Sequence, residues 1–172
     1  MLLRVKLGAG GLLTAMCLAG GVAPVHAQSA GRTVSLDQTL GLTLAELRET
    51  MPGLERLARP VVAPRGLRGQ WRLAGTSLVG QPFDSVFYLR GQKVERIEQL
   101  RNVPAPCVED ATFRSVVQSL GLDYGSVPNG LDAFGVTADG AADVAAHLQV
   151  SAEACVIRVV YQPRILKDAS TL

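Results

Sequence analysis

The chain has 172 residues, of which 48% are hydrophobic and 19% charged, with 17 basic and 15 acidic side chains. That is enough apolar material for a packed core, at a length that suits one domain or two small halves. A net charge of only +2 exerts no general electrostatic pull on nucleic acid or anionic lipid, which argues against both as partners.

The chain opens with Arg4 and Lys6, then runs uncharged from Leu7 to Val25, and Val25-His26-Ala27 forms a small-x-small pattern before Gln28. Charged, apolar and small-residue regions in that order predict a secretory signal peptide over residues 1–27, cleaved after Ala27. A retained membrane span needs ~20 apolar residues, whereas this stretch is rich in Gly and Ala and breaks at Pro24. Cys17 follows Met16, where a lipoprotein signal carries a small residue, so Cys17 is read as part of the apolar segment rather than as a lipidation site. Cleavage removes Arg4 and Lys6 and no acid, leaving a neutral chain expected to be periplasmic or secreted, with no stable membrane insertion.

Cys107 and Cys155 are the cysteines left after cleavage. In an oxidising compartment such a pair is expected to form a disulfide. The loop it closes stabilises the fold by roughly 4 kcal/mol in the chain-entropy picture.

Residues 28–40 read as a flexible segment. Thr43 and Glu46 make a capping-box pattern for a first helix, with Leu44, Leu47 and Met51 on one face and Pro52-Gly53 as its stop. A loop carrying Pro60, Pro64 and Gly66 follows. Leu67, Trp71 and Leu73 then alternate with Arg68, Gln70 and Arg72, the period of a half-buried strand. "FDSVFYL" and "VERIEQL", joined by the glycine turn in "RGQK", predict a hairpin with a bulge in its second arm. "CVEDATFRSVVQSLG" predicts a second helix, its dipole favoured by Glu109 and Asp110 and its buried face formed by Phe113, Val116, Val117 and Leu120. Three more strands are expected in "LDAFGVTADG", "AADVAAHLQV" and "ACVIRVVYQP", with Cys155, Ile157, Val159 and Tyr161 sharing one face. Residues 165–172 read as a tail.

The predicted fold class is therefore α+β, with two tandem helix-plus-three-strand units over 41–101 and 102–164 and the helices on one face of antiparallel sheet.

Catalytic signals are sparse. His147 is the one histidine after cleavage, set among small apolar residues, and reads as structural. No glycine loop matches a phosphate cradle, and Glu95 with Glu98, or Glu109 with Asp110, are carboxylate pairs of the kind common on solvated surfaces. No metal or cofactor is expected. Charge is segregated: residues 32–101 hold 11 basic against 7 acidic side chains, and residues 102–172 hold 4 against 8. Arg68, Arg72, Tyr88, Arg90 and Arg96 are expected to gather on the sheet face away from the helices. Arg and Tyr are enriched at protein interfaces, so these five are candidate partner-binding residues; the alternative is a plain solvated face.

Gly41, Thr43, Glu46 and Leu47 in "LGLTLAELRETMPG" resemble the helix start of small bacterial envelope modules, the SmpA/OmlA outer-membrane assembly lipoproteins and the β-lactamase-inhibitor-protein-like repeats. "FRSVVQSLGLDYG" looks like a second such start, which brings the order closer to the inhibitor-like repeats. The resemblance implies a module that acts by binding other proteins, although the lipobox of an assembly lipoprotein is missing. The expected function is an exported protein-binding or inhibitor-like module without catalytic activity, acting on another envelope or secreted protein. The alternatives are an exported carboxylate-dependent hydrolase and a small-ligand carrier.

Overall fold

In the structure, a computed structural model that describes residues 35–104, 107, 111–125 and 131–164, the Thr43 cap forms as its spacing requires. The Glu46 N–H donates to Thr43 Oγ1 at 3.4 Å, and the Thr43 N–H donates to the Glu46 carboxylate at 2.8 Å. Helix α1 (Leu44–Thr50) starts there and buries Leu47. The residues before it are tied to the sheet: Gly41 N–H donates to Val94 O at 2.8 Å and Val94 N–H to Leu42 O at 2.9 Å.

Four strands follow: β1 (Glu55–Val62), β2 (Arg68–Leu78), β3 (Gln81–Arg90) and β4 (Lys93–Pro104). After α2 (Ala111–Ser119) come β5 (Asp123–Tyr124), β6 (Leu131–Val136), β7 (Ala142–Val150) and β8 (Ala154–Pro163). All pair antiparallel in one sheet of order β1-β2-β3-β4-β8-β7-β6-β5. Eight residue pairs, from Ile97 opposite Tyr161 to Pro104 opposite Ala154, join β4 to β8 at its centre.

This corrects the expected fold class. The chain does not form an α+β fold of two tandem helix-plus-three-strand units. Its described residues form a single eight-stranded antiparallel sheet with two short α-helices, of seven and nine residues. Two strands account for most of the difference. β1 contains Pro60 and is largely exposed, so it lacks the alternation that marks a half-buried strand. It is tolerated because it lies at the sheet edge, where proline deprives no neighbour of a donor. β5 is two residues long, too short to carry a period, and occupies the other edge. Both ends are thereby poor templates for further strand pairing.

The core lies on one face. Cross-strand partners in an antiparallel sheet point to the same side, and the register sets Phe87, Ile97, Tyr161 and Val144 in one row. Cys155, Ile157 and Val159 on β8 are fully buried there, as the alternation in "ACVIRVVY" predicts. Leu47 and Met51 from the α1 region and Phe113, Val116 and Val117 from α2 enter the same cluster. Full burial of each such large side chain contributes ~1.5–3 kcal/mol. The Arg48 guanidinium lies over the Trp71 ring at 4.4 Å.

Cys107 and Cys155 stand as a disulfide pair, with Cα atoms 6.2 Å apart. Both are buried, and the bond ties the segment between β4 and α2 to the start of β8. Among the described residues no helix is long and apolar enough to cross a membrane. The predicted leader with Cys17, residues 28–34, Glu109, Asp110 and the 165–172 tail lie outside the described residues.

Candidate functional site

The second face of the sheet receives no α-helical side chain among the described residues; its apolar cluster is Ala63, Val86 and Tyr88, with Leu57, Leu67 and Leu100 against them. Two irregularities shape it. Between Arg56 and Val61, β1 slips register against β2, bringing Leu57 and the turn after β1 onto this face. At Gly69 a side chain would collide with the interior, since a Cβ would come within 2.6 Å of Val86 Cγ1 and 2.9 Å of Tyr88 Cε1. Glycine is required there for close packing of those two side chains.

Around this cluster runs a row of paired charges. Arg72 on β2 donates to Asp84 on β3 at 2.7 Å. On β4, Arg96 Nε donates to Glu98 Oε1 at 2.7 Å, and Arg158 Nε of β8 stands 3.9 Å from the other carboxylate oxygen. His147 on β7 meets Asp132 on β6 at 2.8 Å through Nδ1. An ionised carboxylate only accepts, so Nδ1 carries the proton and the imidazole orientation is set. The exposed Phe134 packs its ring edge-on against this imidazole, with centroids 5.9 Å apart.

Glu98 is the centre of the row, its side chain only 6% exposed. The Arg158 Nε is also buried and has no hydrogen-bond partner among the described residues. Tyr88, 1% exposed, donates its hydroxyl to Glu98. Burial first, then the negative charge of Glu98 and the hydrogen bond to it, push the Tyr88 hydroxyl above its ordinary value. Burial does the same for Tyr161 on the core face. The folded state thus prefers the neutral phenols, and this contribution is complete below the unfolded tyrosine pKa of about 10. It is lost as pH climbs from there through the raised folded values. Stability in urea is therefore expected to fall between pH 9.5 and 12, on the scale set by that reference pKa, and Tyr88→Phe should flatten the fall. An unchanged slope in that variant contradicts the assignment to Tyr88.

The expected partner-binding residues divide. Arg72, Tyr88, Arg90 and Arg96 belong to this second face by register. Tyr88 is buried beneath its neighbours and presents no surface of its own. Arg68 is displaced to the core side: Gln70 is an extra residue between the Gly69–Tyr88 and Trp71–Phe87 pairs, so Arg68 aligns with Leu89 rather than with the Arg72 row. Each bulge of this kind inverts the facing of what lies beyond it. Arg158, Glu98, Asp84, Asp132 and His147 complete the row without having been singled out as a group. Arg158 was accessible to the same reasoning, because it alternates with Ile157 and Val159.

Concavities flank the sheet on both faces, and two of them bear on function. One, about 550 Å³, lies at the end of the second face between the β1–β2 turn, the β3–β4 hairpin and the end of β8. The other, about 540 Å³, lies on the core side near the ends of α1 and α2. It contains a relay in which Tyr161 Oη donates to Gln99 Oε1 at 3.1 Å and Gln99 Nε2 donates to Thr76 Oγ1 at 3.1 Å. Among the described residues no group of three or more His, Cys, Asp or Glu side chains is placed to hold a metal ion. Comparison with protein-family models, with curated proteins and with solved structures returns no match to this chain.

Proposed function

We propose that this chain is an exported protein-binding module that docks a partner protein on the second face of its sheet. The observation that carries this reading is the row Arg72, Arg96, Arg158 and His147, preset by carboxylates beside the exposed Phe134, on a face that no α-helix covers among the described residues. Guanidinium groups and aromatic rings held in place before contact lose little side-chain freedom on binding. Export is supported by the predicted leader and by the disulfide pair. The helix-start resemblance to envelope binding modules points the same way.

The test is an affinity measurement on a partner captured from envelope extract and then purified. Arg72→Ala combined with Phe134→Ala is expected to weaken binding at least tenfold. Arg68→Ala, on the other side, is expected to leave it unchanged. Equal binding by all three proteins refutes the assignment of the face.

A small-ligand carrier is the second reading, favoured by the groove over Gln99 and Tyr161, whose volume falls within the ~300–1,000 Å³ usual for ligand sites. The hydrolase alternative needs two acids converging without cations between them, whereas Asp84, Glu98 and Asp132 each face a basic side chain.

A further inference from the structure

The cleft at the end of the second face has an unusual wall. The turn from Ala63 to Leu67 is closed by a 2.9 Å hydrogen bond from Ala63 N–H to Leu67 O. At its tip Arg65 has φ of 62°, followed by Gly66 at 72°. A non-glycine residue in the left-handed region is unfavourable, and glycine or asparagine would fit this position with less strain. Arg65 nonetheless stands there, lining the cleft opposite Arg90 and Arg96. Among the described residues Arg65 has no ion-pair partner, whereas Arg90 and Arg96 each direct Nε to a glutamate, Glu95 and Glu98, at 2.7 Å.

We infer that this cleft binds a single carboxylate carried on an apolar stem, as in an acidic peptide segment of the docked partner. The inference rests on the docking face proposed above and names the group that one end of it receives. Of the charged side chains lining the cleft, Arg90 pairs with Glu95, Arg96 with Glu98 and Asp143 with Arg164 at 3.9 Å, so Arg65, unpaired among the described residues, leaves one excess positive charge. A monoanion matches that excess, and guanidinium groups engage carboxylates through paired N–H donors. A doubly charged phosphate would face Glu95 and Asp143 with a surplus of like charge. Pro64, Leu67 and Pro163 supply apolar wall for the stem.

The test is an amide-resolved NMR titration of the full chain with a short acetylated, amidated peptide holding one glutamate between leucine and proline. The same peptide with glutamine, the glutamine peptide with a free C-terminal carboxylate, and inorganic phosphate serve as comparisons. The glutamate peptide is expected to shift the amides of Arg65, Arg90 and Gln162 saturably, and the amidated glutamine peptide is not. Binding by the free C-terminal form identifies the chain end as an equivalent source of the same group and supports the site. Arg65→Gly relieves the turn, so its melting temperature should hold or rise while peptide affinity falls at least fivefold. Equal binding of the amidated glutamine peptide, no loss in Arg65→Gly, or tighter binding of phosphate overturns the inference. If Arg72→Ala with Phe134→Ala weakens partner binding but Arg65→Gly leaves the peptide bound as before, the docking face stands and the cleft assignment fails. If the reverse holds, the cleft stands and the docking face fails.

Discussion

Replacing Cys155 with serine lowers the free energy of unfolding by about 4 kcal/mol, and reduction of the parent chain lowers it by a similar amount. The two cysteines are 48 residues apart in sequence, so their bond removes a large part of the freedom of the unfolded chain. The enclosed segment contains α2 and β5 to β7, and no other covalent tie holds these elements to the β4–β8 seam among the described residues. The Cys155 position adds a second cost, because its side chain is fully buried in the core and a serine hydroxyl there needs a hydrogen-bond partner. Denaturation in urea with and without reductant measures the effect. A loss below about 1 kcal/mol, far under the chain-entropy expectation, shows that the pair is not bonded in solution.

Glu98→Ala is expected to cost about 3–5 kcal/mol, the usual result of removing one member of a buried charged group. Arg96 loses its 2.7 Å partner, Arg158 the carboxylate 3.9 Å from its Nε, and Tyr88 the acceptor for a hydroxyl that is buried. The loss comes from what stays behind unpaired rather than from the attraction itself. A triple variant, Glu98→Met with Arg96→Met and Arg158→Met, should recover much of the stability, because apolar groups of similar size leave only the Tyr88 hydroxyl without its acceptor. Chemical denaturation of the parent chain and the two variants separates the contributions. If Glu98→Ala costs no more than a surface pair, about 0–1 kcal/mol, the row is solvated and does not preset the proposed interface.

Several elements were open to direct reading. The Thr43–Glu46 cap, the burial of Phe113, Val116 and Val117, and the facing of Cys155, Ile157, Val159 and Tyr161 follow from local spacing, and the structure shows each. The cysteine pairing followed from counting. What escaped has a common cause. β1 carries Pro60 and little buried surface, and is a strand because β2 offers it an edge, a condition met only in three dimensions. His147 lies among alanines in sequence, and its partner Asp132 is supplied by the neighbouring strand. Glu98 looked like half of a surface carboxylate pair with Glu95. The bulge after Tyr88 places the two glutamates differently, Glu95 against Arg90 and Glu98 between Arg96 and Arg158.

The sequence alone determined the short-range features: where α1 is capped, which residues of β8 point inward, and which two sulfurs are available to each other. These depend on spacing within a few residues, which the backbone geometry of helix and strand translates directly into a face. Tertiary structure alone decided that the strands merge into one sheet through β4 and β8, and which arginines share a side. Facing along a strand inverts with each extra residue, and whether Gln70 is extra depends on how β2 meets β3, a pairing between separate segments that no local pattern encodes.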